Sequence, residues 1–289
     1  MILVTGATGI AGSQVVRALL EQRQDVRAFV RDPDKARGLF GDAADLAPGD
    51  FADPRSLRAA LDGADVIFLS GADDPRRVEW ETAAIDAAAE AGVRRIVKLS
   101  SIVAEPGAPV AFWDWHGRIE QHLRSSAVPA VVLRSSFFMS NLLAAAEPVA
   151  LDGKLFAPAG EARIAMIDPR DVGAAAAAVL TSEGHDGRSY ALTGPEAVTY
   201  TQVAAALGEA TGREVEFVDL PDEAATAGLI RAGLPAFAAE QVVAVFAQAR
   251  LGVAAQVTAT VETLTGRPPR EIASFARDSA NLFPRREAA

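Results

Sequence analysis

The chain has no cysteine among its 289 residues, which removes disulfides, thiol catalysis and thiolate metal sites together. That absence agrees with a reducing compartment. Only three histidines are present, too few for a multi-histidine metal centre, and no metal site is expected. Positive charge is in deficit: 28 Lys and Arg stand against 38 Asp and Glu, for a net charge of −10. Such a surface repels nucleic-acid phosphates and anionic lipid, so neither is expected as a partner. Long apolar runs are also missing. The alanine-rich stretch 174–180 falls far short of the roughly 20 residues that a spanning helix needs. The chain opens on Ile2-Leu3-Val4 with no basic segment or small-residue cleavage site. No leader is therefore expected, and the cytoplasm is the expected location.

What is present is a packed-protein composition, 50% hydrophobic and 23% charged. It suffices for one large α/β domain, or one large and one small. Short β-rich runs at 2–5, 26–30, 45–48, 66–70, 95–100 and 130–134 alternate with helical patterns at 11–22, 54–61, 76–91 and 113–125. Strands that alternate with helices predict right-handed crossovers and a parallel sheet. The nearly continuous apolar strands predict helices on both faces. This is a doubly wound Rossmann fold over residues 1–150. Residues 151–289 are expected to form mostly a smaller C-terminal α+β lobe, with one strand and helix from 162–195 returning to the sheet. In that half, 153–157, 162–167, 189–193 and 214–220 read as strands. Asp168-Pro169-Arg170-Asp171 opens a helix over 172–181, with Asp171 as its N-cap, and Asn141 caps or orients the crossing segment.

The strongest motif is Gly6-Ala7-Thr8-Gly9-Ile10-Ala11-Gly12, set between an apolar strand and an amphipathic helix. Gly6 permits the tight turn, Gly9 lets a pyrophosphate approach the backbone, and Gly12 lets the helix pack closely on the sheet. Thr8 can add a hydroxyl, and the helix N-terminus favours anions. The expected ligand is a dinucleotide. At the end of the second strand, where an NAD site usually places an acid, stands Arg31, with Lys35 one turn on. A guanidinium suits a 2′-phosphate, so NADP(H) is favoured over NAD(H). Asp32 and Asp34 would reverse that choice if they turned inward, but Asp32-Pro33-Asp34 reads better as a helix cap. Asp50 and Phe51 stand where an adenine would lie, or they make an ordinary turn. Ser70 and Gly71 end the fourth strand, where small residues let a ribose pass.

These stretches, together with Val97-Lys98-Leu99-Ser100-Ser101, His116-Gly117-Arg118-Ile119-Glu120, Leu133-Arg134-Ser135-Ser136-Phe137-Phe138-Met139-Ser140-Asn141, Asp168-Pro169-Arg170-Asp171-Val172 and Tyr190-Ala191-Leu192-Thr193-Gly194-Pro195, resemble the NmrA-like family of atypical short-chain dehydrogenases/reductases. The resemblance covers the chain to about Arg270. It implies NADP(H) bound between a Rossmann domain and a small lobe, with Ser100, Ser135 and Phe137 on the cofactor side. It also implies one of two roles. The first is an NADPH-dependent reductase of quinones or azo compounds. The second is a non-catalytic NADP(H) sensor or regulator.

One departure matters. The Tyr-x-x-x-Lys of catalytic relatives in the wider superfamily is replaced by His116 and Glu120, and the only tyrosines are Tyr190 and Tyr200. The usual alcohol/ketone proton relay is therefore absent. Hydride transfer needs no protein nucleophile, and His116 is the available proton donor because histidine titrates near neutrality. Glu120 is one turn away and can orient it or reach the ribose, while Ser100 and Ser101 can bond a substrate oxygen. The same two residues also read as a plain i,i+4 helix pair. Trp113, Trp115, Phe137, Phe138 and Met139 form either an aromatic wall for a flat conjugated substrate or ordinary core. Trp113, Phe138 and Asn141 are the candidates for contact with substrate. The chain is expected to act as a monomer or homodimer.

Overall fold

The computed structural model describes residues 1–283. In chain order the elements are β1 (Ile2–Val4), α1 (Ile10–Glu21), β2 (Val26–Val30), α2 (Pro33–Phe40), β3 (Asp45–Pro48), α3 (Pro54–Leu61), β4 (Val66–Leu69) and α4 (Arg77–Glu90). Next come β5 (Arg95–Ser101), α5 (Ala111–Ser125), β6 (Ala130–Ser135), a 3₁₀ segment (Met139–Ala145), α6 (Ala146–Asp152), β7 (Lys154–Ala157), α7 (Pro169–Thr181) and β8 (Ser189–Leu192). The chain continues with α8 (Tyr200–Thr211), β9 (Glu216–Asp219), α9 (Asp222–Arg231), α10 (Ala236–Arg250), α11 (Thr260–Thr265) and α12 (Ile272–Asp278). Seven strands form one parallel sheet in the order β3-β2-β1-β4-β5-β6-β8. This is the doubly wound Rossmann fold. The order reverses between β1 and β4, and the crevice for a ligand opens there, at the carboxyl ends of the strands.

Alternation along the strands divides the core. Val4, Phe68, Val97, Leu99 and Leu133 face α1, α2 and α7. Leu3, Ile67, Leu69 and Ile96 face α3, α4 and α5. The small residues of α7 let it lie against α1, where a Cβ on Gly173 would come within 2.7 Å of the Gln14 backbone. Val261 and Leu264 of α11 join that same side of the core. A third core, built from the 3₁₀ segment, α6, β7, α8, α10 and α12, makes the lobe. There β7 and β9 pair in parallel as a separate two-stranded sheet.

Helix starts follow a repeated rule. Asp32, Asp53 and Asp168 each precede a proline at the first helical turn and accept a backbone N–H, from Lys35, Arg55 and Arg170 respectively. Proline at N1 gives up an N–H that would be unpaired anyway. The expected cap of α7 is therefore corrected from Asp171 to Asp168. Asp171 instead accepts the Arg270 backbone N–H at 2.7 Å and pairs with its guanidinium, tying α7 to the turn before α12. The expected strand over 162–167 is not formed. Ile164 makes a single bridge to Val198, and Ile167 makes another to Phe138. Apart from the exposed Arg163 these residues are buried between the two cores, and the apolar run reflects packing on both sides rather than a ladder.

Candidate active site

The glycine turn is built around backbone contacts that leave no room for side chains. Gly6 has φ +60°, and a Cβ there would meet the Ser70 carbonyl at 2.7 Å. A Cβ on Gly12 would fall on the Gly6 carbonyl, and one on Gly9 would lie 3.1 Å from the same oxygen. Thr5 fixes the crevice from below. Its hydroxyl donates to the Ser70 carbonyl at 2.9 Å and accepts the Ser70 N–H at 2.9 Å. Gly9 caps α1 without a side-chain bond, Thr8 is half-buried, and Ile10 is exposed at the mouth. Gly71 follows Ser70 and donates its N–H to Glu81 Oε1 at 3.0 Å.

Arg31 leaves the end of β2 exposed, and Lys35 is exposed one turn into α2. Neither side chain has a partner among the described residues. Both nearby acids are engaged: Asp32 accepts the Lys35 N–H at 3.0 Å, and Asp34 pairs with Arg37 at 2.7 Å. Two free cations thus flank the mouth, with no free acid turned inward. Asp50 Oδ1 accepts the Ala52 N–H at 2.8 Å, as in a turn. Phe51 lies edge-on to Phe29 with ring centres 5.7 Å apart, half-buried against the core.

A buried polar chain lies beneath the crevice, between β5, α4 and α5. Strand alternation sends Ile96, Lys98 and Ser100 to the α4–α5 side. Lys98 is wholly buried, with Nζ 2.9 Å from Glu81 Oε2 and 3.3 Å from His116 Nδ1. It also donates to its neighbour's carbonyl, that of Leu99. Arg77 Nε meets Glu81 Oε1 at 2.8 Å, and Arg77 Nη1 meets the exposed Asp73 at 2.5 Å. Burial opposes charge on Glu81, but Lys98 and Arg77 outweigh it and hold the carboxyl below its ordinary range. Burial and the Arg77 charge lower Lys98, Glu81 resists, and the balance leaves it at about 8. Burial first, then the charges on Arg77 and Lys98, holds His116 well below the usual histidine value. The ring is neutral near pH 7. The expectation that it titrates near neutrality is corrected by its desolvation.

Glu120 does not reach His116. It accepts from Ser100 Oγ at 2.6 Å, from Arg134 Nε at 3.0 Å and from Arg134 Nη2 at 2.5 Å. The carboxylate is a strut between α5, β5 and β6, and the partner of His116 comes from β5. The Ser100 hydroxyl is engaged by the same strut, and Ser135 Oγ donates to the Ser100 carbonyl at 3.3 Å. Ser101 is half-buried at the end of β5, and no bond engages its hydroxyl among the described residues. Sequence reasoning missed Lys98, Glu81 and Arg77 as site residues. The available signal was a lysine in the middle of an apolar strand, Ile96-Val97-Lys98-Leu99. It also missed Ser136, just past the end of β6, whose hydroxyl is buried with no partner among the described residues.

The aromatic residues divide. Trp113 is buried core at the start of α5. Trp115 stacks on Phe237 of α10 at 5.9 Å, with Phe112 edge-on at 5.5 Å. Gln241 of α10 accepts the Ala111 N–H at 2.6 Å, so the lobe docks on the first turn of α5. Phe137 packs at 6.0 Å from Phe246 in the lobe, while Phe138 is half-buried against the main core. Met139 is buried in the lobe core, and Asn141 is exposed on the 3₁₀ segment.

A neutral buried histidine makes a stability prediction. The unfolded chain takes a proton at His116 near pH 6.5, and the folded chain does so only at well lower pH. The stability this group contributes is complete above about 6.5 and is lost as pH falls below it, at up to about 1.4 kcal/mol per pH unit. Urea denaturation at pH 7 and pH 5.5 should therefore show a smaller pH dependence in His116→Gln than in the wild type. Equal slopes would contradict the neutral ring.

The profile of the NmrA-like family matches residues 1–263. The chain is 39% identical over 283 residues to an NAD(P)H azoreductase of Xenophilus azovorans, which covers 98% of this chain and 99% of that protein. It is 32% identical over 286 residues to quinone oxidoreductase 2 of Escherichia coli, covering 98% and 99%. The crystal structure of an NADPH-dependent quinone oxidoreductase from Escherichia coli, complexed with NADPH, superposes with a TM-score of 0.88 at 31% identity. It covers 98% of this chain and 100% of that one. The chain belongs to the NmrA-like family. No helix among the described residues is long and apolar enough to cross a membrane.

Proposed function

We propose that this protein is an NADP(H)-dependent oxidoreductase that reduces a flat, conjugated small molecule of the quinone or azo class without a Tyr-x-x-x-Lys relay. The observation that carries the reading is the pairing of a glycine cradle, in which a Cβ at Gly6 or Gly12 would meet backbone, with a neutral, buried histidine on α5 held 3.3 Å from Lys98 of β5.

The cradle fits the cofactor. Gly6, Gly9 and Gly12 clear the backbone for a pyrophosphate, and α1 presents its N-terminus to it. Arg31 and Lys35 hold the 2′-phosphate, since each is an unpaired cation at the mouth. Asp50 and Phe51 border the adenine side, and Ser70 and Gly71 border the ribose. Ser101, Ser135, the buried Ser136 and Phe137 line the far end. When bound, the cofactor supplies the hydride.

The protein's own task is orientation and one proton. His116 presents a neutral N–H, which strengthens as a donor when negative charge develops on the acceptor in a dry site. Phe138, half-buried, and Asn141, exposed, border the acceptor side, while Trp113 is taken up by core packing. The azoreductase and quinone reductase relatives support this acceptor class.

Arg31→Ala should weaken NADPH binding about tenfold and leave NADH binding unchanged, because one exposed charge-assisted contact to the 2′-phosphate is lost. Calorimetric titration of both nucleotides checks this, and equal losses for the two would place Arg31 elsewhere. Steady-state oxidation of NADPH with a panel of quinones, azo dyes and enones tests the reading as a whole.

A further inference from the structure

Lys98 needs an explanation that packing does not provide. Methionine would fill the same volume in β5 without the cost of a buried ammonium. The groups facing Lys98 are Glu81 and Arg77 from α4, and His116 and Glu120 from α5. Asp73 balances Arg77, and Arg134 balances Glu120. An ammonium has donors and no lone pair, so at the His116 contact Nδ1 must accept. The single hydrogen of the neutral ring is then fixed on Nε2. That atom has no protein partner among the described residues.

We infer that Lys98 is the positioning residue that holds His116 in its Nε2–H form and supplies, through the imidazole, the proton taken by the reduced acceptor. This inference rests on the reductase reading proposed above. In the step, the acceptor gains a hydride from the reduced nicotinamide, and its π electron pair moves onto the acceptor heteroatom. The His116 Nε2–H bond breaks as the new bond from that proton to the heteroatom forms. A Lys98 Nζ–H bond breaks as Nδ1–H forms, so the imidazole ends neutral. After product leaves, Nε2 takes a proton from water as Nδ1 returns its own to the Lys98 amine beside Glu81, which restores the ammonium and the Nε2–H form. The arrangement suits the task because burial and Arg77 loosen the Lys98 proton to about 8, close to working pH, while Glu81 prevents its outright loss.

The test is long-range proton–nitrogen NMR of the full-length chain, whose three histidines give a tractable spectrum. In the wild type His116 should show the Nε2–H form. Its signals should step with a midpoint near 8, that of Lys98, which His185, lowered by burial, does not share. Lys98→Met should give mixed tautomers, abolish that step, and lower kcat for a quinone by more than tenfold with little change in KM for NADPH. Lys98→Gln keeps a donor toward Nδ1 and should restore the tautomer but not the step. An Nδ1–H form in the wild type overturns the inference, and so does a Lys98→Met variant with wild-type spectrum and kcat. The wild-type pH series stands on its own if the variants fail to fold. If the wild type shows the Nε2–H form and the step but reduces no acceptor, the reductase reading and the proton-supply role fall together, while the Lys98 control of the tautomer stands.

Discussion

Replacing Gly12 by alanine is expected to cut NADP(H) affinity by at least about a hundredfold and to destabilise the fold by about 1–3 kcal/mol. A Cβ at this position would land on the Gly6 carbonyl, and Ala7 Cα lies 3.1 Å away. Both neighbours are backbone, so no side chain can swing aside. Helix α1 must move away from the turn, and the turn carries the pyrophosphate cradle. Gly38 on α2 is the control, since nothing lies within 4 Å of a Cβ there. Gly38→Ala should bind the cofactor normally and gain roughly 0.5–1 kcal/mol of stability from helix propensity. Cofactor titration and urea denaturation on the two variants separate a specific cradle from a general glycine effect.

Replacing Glu81 by leucine is expected to destabilise the protein by about 3–5 kcal/mol. Among the described residues Glu81 is the one carboxylate in contact with Lys98, and it also takes Arg77 and the Gly71 N–H. Its loss leaves a buried ammonium with no counter-charge, and burial then drives that group to shed its proton. Arg77 keeps Asp73. Adding Lys98→Met to Glu81→Leu should therefore recover most of the lost stability, because the uncompensated charge is removed with its partner. Additive losses in the double variant would show that the two residues do not interact as the 2.9 Å contact requires.

The sheet was legible because its central strands are apolar on both faces and alternate with helical patterns, of which α2 and α3 have clear Asp-Pro starts. The glycine turn was legible because strand, turn and helix occur together. Other features depend on partners distant in sequence. His116 and Glu120 lie on one helix at a spacing that suggests a pair, but Arg134 and Ser100 draw Glu120 to one side, and Lys98 meets His116 from β5. Periodicity assigns a residue to a face and says nothing of what faces it. Asp171 looked like a cap because it precedes a helical run; the proline at 169 moves the helix start back to Asp168. The 162–167 segment is apolar because it is buried between two cores, and a short apolar run alone does not distinguish that from a strand.

The most direct measurement is NADPH consumption by the wild-type protein with quinone, azo and enone acceptors, run beside NADH and beside NADPH binding. Turnover of at least one conjugated acceptor is expected, faster with NADPH than with NADH, with one acceptor reduced per NADPH consumed. Tight NADPH binding with no turnover of any acceptor would contradict it and would make the protein a sensor of the cofactor rather than a catalyst.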